Sequence, residues 1–181
     1  LSLLASTLRQ GGVRALTVIH LVRDPRPMLA SQIKLRWWNL HKGGRRELER
    51  VARRTCTGME LDAAAGATLN SRDGVRYVPV RFEDLVANTS QVTRQLYGAL
   101  EIPVPPSTKA WLHKTLRGEC AAANSSEQFE YATCRNTSVR RRAKRHSWKH
   151  SLSHRQKRII TKQCSGAMRQ FGYEFPAHMA E

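Results

Sequence analysis

ALTVIHLVRDPRPMLAS, residues Ala15 to Ser31, joins two patterns that belong to different secondary structures. Ala15 to Val22 is a short, nearly continuous apolar run rich in β-branched residues, which predicts a buried parallel strand. After Arg23-Asp24-Pro25-Arg26-Pro27 the period changes. Leu29, Ile33, Trp37 and Leu40 recur at i, i+4, i+8 and i+11, one face of a helix. Asp24 suits its N-cap, and Pro25 suits the first helical position, where a missing N–H costs nothing. A strand that hands the chain to a helix N-terminus makes an anion site, because the first backbone N–H groups are unpaired and the dipole is positive there. Arg23, at the strand's carboxyl end, adds a planar guanidinium suited to phosphate. Ser31, eight residues on, can add a hydroxyl. Ligands of open α/β sheets sit at the carboxyl ends of strands, where this element falls. The competing role for Arg23 is an ion pair with a carboxylate such as Glu83 or Asp84, with Asp24 acting only as a cap.

Working outward, residues 45–65 read as a helix, basic at its start and alanine-rich at its end, and Asn70 to Gly74 as a turn. Arg76 to Phe82 (RYVPVRF) reads as a second strand, although Pro79 removes a ladder donor. Glu83-Asp84-Leu85 leads into an amphipathic helix carrying Val92, Leu96, Tyr97 and Leu100, which the prolines of Ile102–Pro106 stop. Residues 117–146 lack periodicity and read as a long basic loop. Ser153-His154-Arg155-Gln156 has the capping-box form, and Ile160, Cys164, Ala167 and Phe171 line one face of a last helix ending at Gly172. Strands alternating with helices predict an α/β layered fold, taken here as one domain over residues 1–181. There is no internal repeat.

The 181 residues carry 31 Lys plus Arg against 14 Asp plus Glu, a formal charge of +17. Such a balance points to a polyanionic partner: nucleic acid, anionic lipid or acidic polysaccharide. No apolar run approaches the roughly 20 residues that span a bilayer. Cys56, Cys120, Cys134 and Cys164 show no C-x-x-C spacing and allow two disulfides in any of three connectivities. Asn88-Thr89-Ser90, Asn124-Ser125-Ser126 and Asn136-Thr137-Ser138 fit the N-glycosylation triplet. With the cysteines, they favour a secretory-pathway lumen over cytosol.

IHLVRDPRPMLAS resembles the segment by which sulfotransferases hold the 3′-phosphate of PAPS, the activated sulfate donor. It is most similar to the Golgi carbohydrate 6-O-sulfotransferases, which modify galactose, N-acetylgalactosamine and N-acetylglucosamine in keratan and chondroitin chains. The likeness continues in family order. Val80 to Leu85 resembles VRYEDL, with Phe82 for Tyr, and Leu96 to Pro103 resembles YxFLGIPL. WLHKTLRG (Trp111–Gly118) resembles WIxxNTRG, and YATCRNTS (Tyr131–Ser138) resembles YxTxRNS. Trp148-Lys149 with Leu152 resembles WRxxL, and Cys164 to Tyr173 resembles CxxxMxxxGY.

The resemblance implies a P-loop NTPase-like α/β sulfotransferase fold, a parallel sheet flanked by helices, with the amino-terminal strand and the 5′-phosphosulfate loop missing from this chain. It implies a donor site of Arg23, Asp24, Pro25, Arg26 and Ser31, with Arg23 and Ser31 on the 3′-phosphate of PAPS. It also implies a glycan acceptor (an acidic polysaccharide or N-acetyllactosamine-type chain), no metal, no nucleic acid, and a Golgi-lumenal enzyme held to the membrane through an anchor outside this chain. Cys56 and Cys164 match family cysteines, which leaves Cys120 and Cys134 as a candidate local pair. The catalytic base is not assigned. His20 lies inside a strand, and Glu83 and Asp84 follow a strand end, where pairing with an arginine competes. Lys149 is a further candidate to approach the donor nucleotide. The run Arg140 to Lys149 (RRRAKRHSWK) suits a glycosaminoglycan groove. Its alternative is a non-catalytic basic module binding nucleic acid or heparin-like chains. His146, His150 and His154 have helical spacing, but a helix starting only at Ser153 removes them as a metal site.

Overall fold

The computed structural model describes residues 10, 16–36, 40–70, 75–117 and 148–174. The chain divides into two compact units, Leu1–Phe82 with Ser147–Glu181, and Glu83–His146.

In the first unit, strand β1 (Leu16–Val22) runs into helix α1 (Pro25–Lys34), then α2 (Leu40–Asn70), then strand β2 (Val75–Arg81). The strands pair in parallel, Leu16 beside Val75 through to Val22 beside Arg81. Parallel neighbours need a long crossover, supplied here by α1 and α2. Pro79 lies in register with His20 and is exposed, and among the described residues β2 pairs with β1 alone, the edge position in which a strand tolerates a missing N–H.

Several expectations shift in detail. Strand β1 is parallel but not buried on both faces: Ile19 and Leu21 are 43% and 55% exposed, since among the described residues α2 covers the other face. Helix α1 stops at Lys34 instead of running to Leu40. Arg36 takes φ +56°, a left-handed backbone that a helix cannot continue through, and the N–H groups of Leu35 and Arg36 close onto the Ser31 and Ile33 carbonyls. Leu40 opens α2, which is interrupted at Gly44, where φ 54° and ψ −139° leave the helical region. A glycine meets that requirement at no steric cost. The helix expected over 45–65 is present and continues to Asn70; residues 71–74, part of the expected turn, and Trp37-Trp38 lie outside the described residues.

The unit is completed by α6 (Trp148–Ser151), α7 (His154–Gln163) and α8 (Ser165–Gln170). The capping box is formed: the Ser153 hydroxyl accepts the Gln156 N–H, and the Gln156 side chain accepts the Ser153 N–H. The single last helix is instead two, meeting at Cys164 (φ −107°, ψ 11°), and the second closes at Gly172 with φ +65°. Leu29, Leu48, Val51, Ala52, Ile160, Ala167 and Met168 form the core where α1, α2, α7 and α8 meet. Cys56 of α2 is bonded to Cys164 in the middle of it, and both are fully buried.

Packing between α2 and the sheet depends on Gly66. A Cβ there would overlap the Tyr77 ring, whose hydroxyl lies 2.6 Å from His20 Nδ1. Burial, and secondarily the Asp62 charge, raise the Tyr77 pKa. Gly66→Ala is therefore expected to destabilise by about 1–3 kcal/mol, because overpacking outweighs the roughly 1 kcal/mol alanine gains in helix propensity. Urea unfolding followed by circular dichroism measures it; a variant as stable as the parent would mean that the ring is free to move aside.

Helix α3 (Phe82–Ala87) begins immediately at the end of β2 with Phe82, the last residue of the first unit's opening segment, so Phe82 is helical where a strand was expected; from Glu83 the chain belongs to the second unit. Helix α4 (Thr89–Ala99) carries the expected Val92, Leu96 and Tyr97, and Leu100 caps it. A helix not expected from periodicity, α5 (Pro106–Arg117), starts on a proline whose missing N–H is harmless there. Tyr97 and Thr108 bring their hydroxyls to 3.4 Å between α4 and α5. Most of the expected loop, with Cys120, Cys134 and two glycosylation triplets, lies outside the described residues. None of the described helices is long and apolar enough to cross a membrane.

Candidate anion site at the strand ends

Because β1 and β2 are parallel and in register at Val22 and Arg81, both carboxyl ends emerge together. Arg23 directly follows β1 and Arg81 ends β2, and each is seated on an aromatic ring. The Arg23 guanidinium lies 4.7 Å from the Phe82 ring centre, and Arg81 lies 4.7 Å from Tyr173. An aromatic face holds a guanidinium while leaving its N–H groups to point elsewhere. The Arg23 Nε–H is buried and meets no acceptor. Among the described residues Arg23 forms no ion pair, so the expected alternative, a carboxylate partner, is not what holds it. A buried charged donor left without an acceptor is costly unless a ligand supplies one.

The adjoining turn has its polar groups satisfied differently. Asp24 is the N-cap of α1 and accepts the Arg26 backbone N–H at 2.9 Å. The same carboxylate takes the Arg26 side chain as a fork, with Nε at 2.9 and 3.1 Å and Nη2 at 2.6 Å. Both residues are buried, and Arg26 stacks 4.9 Å from the Trp148 ring. Pro25 is fully buried beside them. The structure thus brings Asp24, Pro25 and Arg26 into one closed turn, with Arg26 spent on Asp24. Arg23 directly precedes that turn, and Ser31 is exposed on α1, roughly 9 Å along the helix from Pro25.

Sequence reasoning missed the aromatic partners, although Phe82, Trp148 and Tyr173 all sat in segments noted for other reasons. Cross-chain stacking has no local signature, so only Phe82's position directly after a strand arginine was a usable signal. His20 is occupied with Tyr77 and touches Phe171 edge-on, at 6.0 Å between ring centres. That is a packing and hydrogen-bonding role within the sheet. Lys149 is exposed beside Trp148, while residues 140–147 of the basic run lie outside the described residues.

Comparison with known proteins places the segment that carries this geometry within a known family. Residues 15–106, just over half the chain, match the model of the Sulfotransferase family. Human carbohydrate sulfotransferase 3 is 29% identical over 177 residues, covering 88% of this chain and 34% of that protein. Its rat counterpart is 31% identical over 170 residues, with the same coverage. Human carbohydrate sulfotransferase 1 is 29% identical over 175 residues, covering 92% of this chain and 41% of that protein. The chain therefore spans about a third to two fifths of the length of these relatives. No solved structure matches it significantly. The matched region contains both strands, the closed Asp24–Arg26 turn and the unsatisfied Arg23, and the chain belongs to the sulfotransferase family.

Proposed function

We propose that this chain supplies the 3′-phosphate grip of a PAPS-dependent carbohydrate sulfotransferase. The observation that carries the reading is the buried Arg23 Nε–H without an acceptor, placed where a parallel strand delivers the chain to the start of α1. A phosphate fits that donor: it accepts the guanidinium N–H groups in a charge-assisted pair and sits toward the positive end of the helix. In this reading Arg23 holds the phosphate, Ser31 donates its hydroxyl to the same group, and Asp24, Pro25 and Arg26 hold the turn rigid so that Arg23 is aimed before the donor arrives. Preorganisation of that kind lowers the cost of ordering on binding. PAPS supplies an activated sulfuryl group. What these residues contribute is position: they fix the nucleotide end so that the transferable group meets its acceptor in line.

The acceptor proposed is the 6-hydroxyl of a sugar in a glycosaminoglycan or related glycan, supported by the ordered motif resemblance and by relatives named carbohydrate sulfotransferases. The compartment proposed is the Golgi lumen. The buried Cys56–Cys164 disulfide supports it, because such bonds persist in oxidising compartments, and so does Asn88, exposed at the start of α4 within a glycosylation triplet.

Arg23→Ala in the full-length protein tests the donor site. Losing one charge-assisted phosphate bond is worth about 1.5–3 kcal/mol, so the Kd for adenosine 3′,5′-bisphosphate is expected to rise by about 10- to 150-fold in calorimetric titration. Thermal stability should change little, since Arg23 bonds no described carboxylate. An unchanged Kd removes Arg23 from the donor site and the reading with it.

A further inference from the structure

Outside the strand ends, a cluster of charged residues lies where α2 and α7 pack. Helix α7 places Arg155, Arg158 and Lys162 at i, i+3 and i+7, one exposed stripe about 10 Å long. Helix α2 places Arg45, Glu49 and Arg53 at i, i+4 and i+8 on its own stripe. The two stripes run side by side. Arg45 and Arg155 line the same open cleft of about 330 Å³, and further along, the Glu49 carboxyl is held below its usual range by the Arg45 hydrogen bond, aided by the charges of Arg53 and Lys162. Arg45 bonds Glu49 at 2.6 Å, the one carboxylate among these five cations. The cleft floor is apolar, formed by Ile33, Leu48 and Ile159.

We propose that the cleft and the paired basic stripes of α2 and α7 bind an acidic polysaccharide chain, holding it by its anionic groups at a surface formed by none of the donor-site residues. The choice of polyanion rests on the glycan reading above, and two features of the surface favour it. A membrane is gripped by apolar side chains that protrude beside basic ones. Here no apolar lining residue is exposed: Leu48 is 4% exposed, and Ile33 and Ile159 are half-buried against the core. Single-stranded nucleic acid is gripped by stacking on aromatic rings. Residues 45–70 of α2 and all of α7 contain no Phe, Trp or Tyr. A sulfated or carboxylated sugar chain needs neither; charge and an entry for a pyranose ring suffice.

The test is Arg155→Gln/Arg158→Gln/Lys162→Gln in the full-length protein, with Arg23→Ala alongside. Immobilised chondroitin sulfate, vesicles containing phosphatidylserine and single-stranded RNA are the probes, across a salt series. The triple variant is expected to bind chondroitin sulfate at least tenfold more weakly at physiological salt. Its salt slope should fall by about 2–3, as three fewer counterion-releasing contacts require. Adenosine 3′,5′-bisphosphate affinity should be unchanged in the triple variant, whereas Arg23→Ala should show the reverse pattern. Unchanged polysaccharide binding overturns the proposal. So does a parent protein that holds the vesicles or the RNA more tightly than the polysaccharide. Failure of Arg23→Ala to affect the nucleotide overturns the donor reading alone, because polysaccharide binding is read separately.

Discussion

Replacing Cys56 and Cys164 together by alanine is expected to lower stability by about 2–5 kcal/mol, among the largest effects any change in this chain should produce. The bond links positions 108 residues apart, so it removes a long loop's worth of freedom from the unfolded chain; the chain-entropy limit for such a loop is close to 5 kcal/mol. It also ties α2 to the junction of α7 and α8, the point at which the last helical segment breaks. Both sulfurs lie in the core, so the alanines add some loss of packing. Reduction separates the two contributions, because it opens the bond without deleting atoms. Urea unfolding of the parent with and without reductant, beside the double variant, should show most of the loss in the reduced parent. If the midpoint does not move on reduction, the bond has no part in stability.

Asp24→Ala is expected to cost about 3–5 kcal/mol. Its carboxylate does three things at once: it caps α1, it takes both ends of the Arg26 fork, and it neutralises a guanidinium that is 7% exposed. Removing it leaves a buried cation against Trp148 with no counter-charge, and water cannot easily reach it. Asp24→Ala/Arg26→Met should recover much of the loss, since an apolar chain of similar length no longer needs an anion. The cap alone accounts for about 1 kcal/mol and should stay lost. Equal destabilisation of the single and double variants would mean that the cap, not the ion pair, is what matters. In the proposed reading the same turn aims Arg23, so both variants should also bind adenosine 3′,5′-bisphosphate more weakly than their stability change explains.

Much of this was legible in residues 15–31. The change from a β-branched run to a 3.6 period announced a strand and helix, and Asp-Pro announced the boundary between them, because both signals are local. The same local logic predicted the capping box at Ser153 and the stop after Leu100. What misled was periodicity carried past its element. Leu40 continues the α1 pattern in spacing, yet a left-handed Arg36 has already ended that helix. In α7 and α8 the apolar spacing continues through Cys164, although the backbone does not.

The proposed donor site divides along the same line. The family resemblance of the motif marked Arg23, Asp24, Pro25, Arg26 and Ser31 as a group, while the local reading of the residues gave Arg23 and Ser31 as anion donors and Asp24 and Pro25 as the helix start. It could not say that the two arginines have opposite fates. Arg26 lies within reach of Asp24 by sequence, but whether that pair is buried depends on Trp148, more than 100 positions away. Whether Arg23 is left without an acceptor depends on Phe82, brought beside it by the parallel pairing of β1 and β2. Secondary structure and caps are short-range and were set by the residues alone; burial and charge satisfaction are sums over distant neighbours, so only the tertiary structure decided which guanidinium is left with a buried N–H and no acceptor.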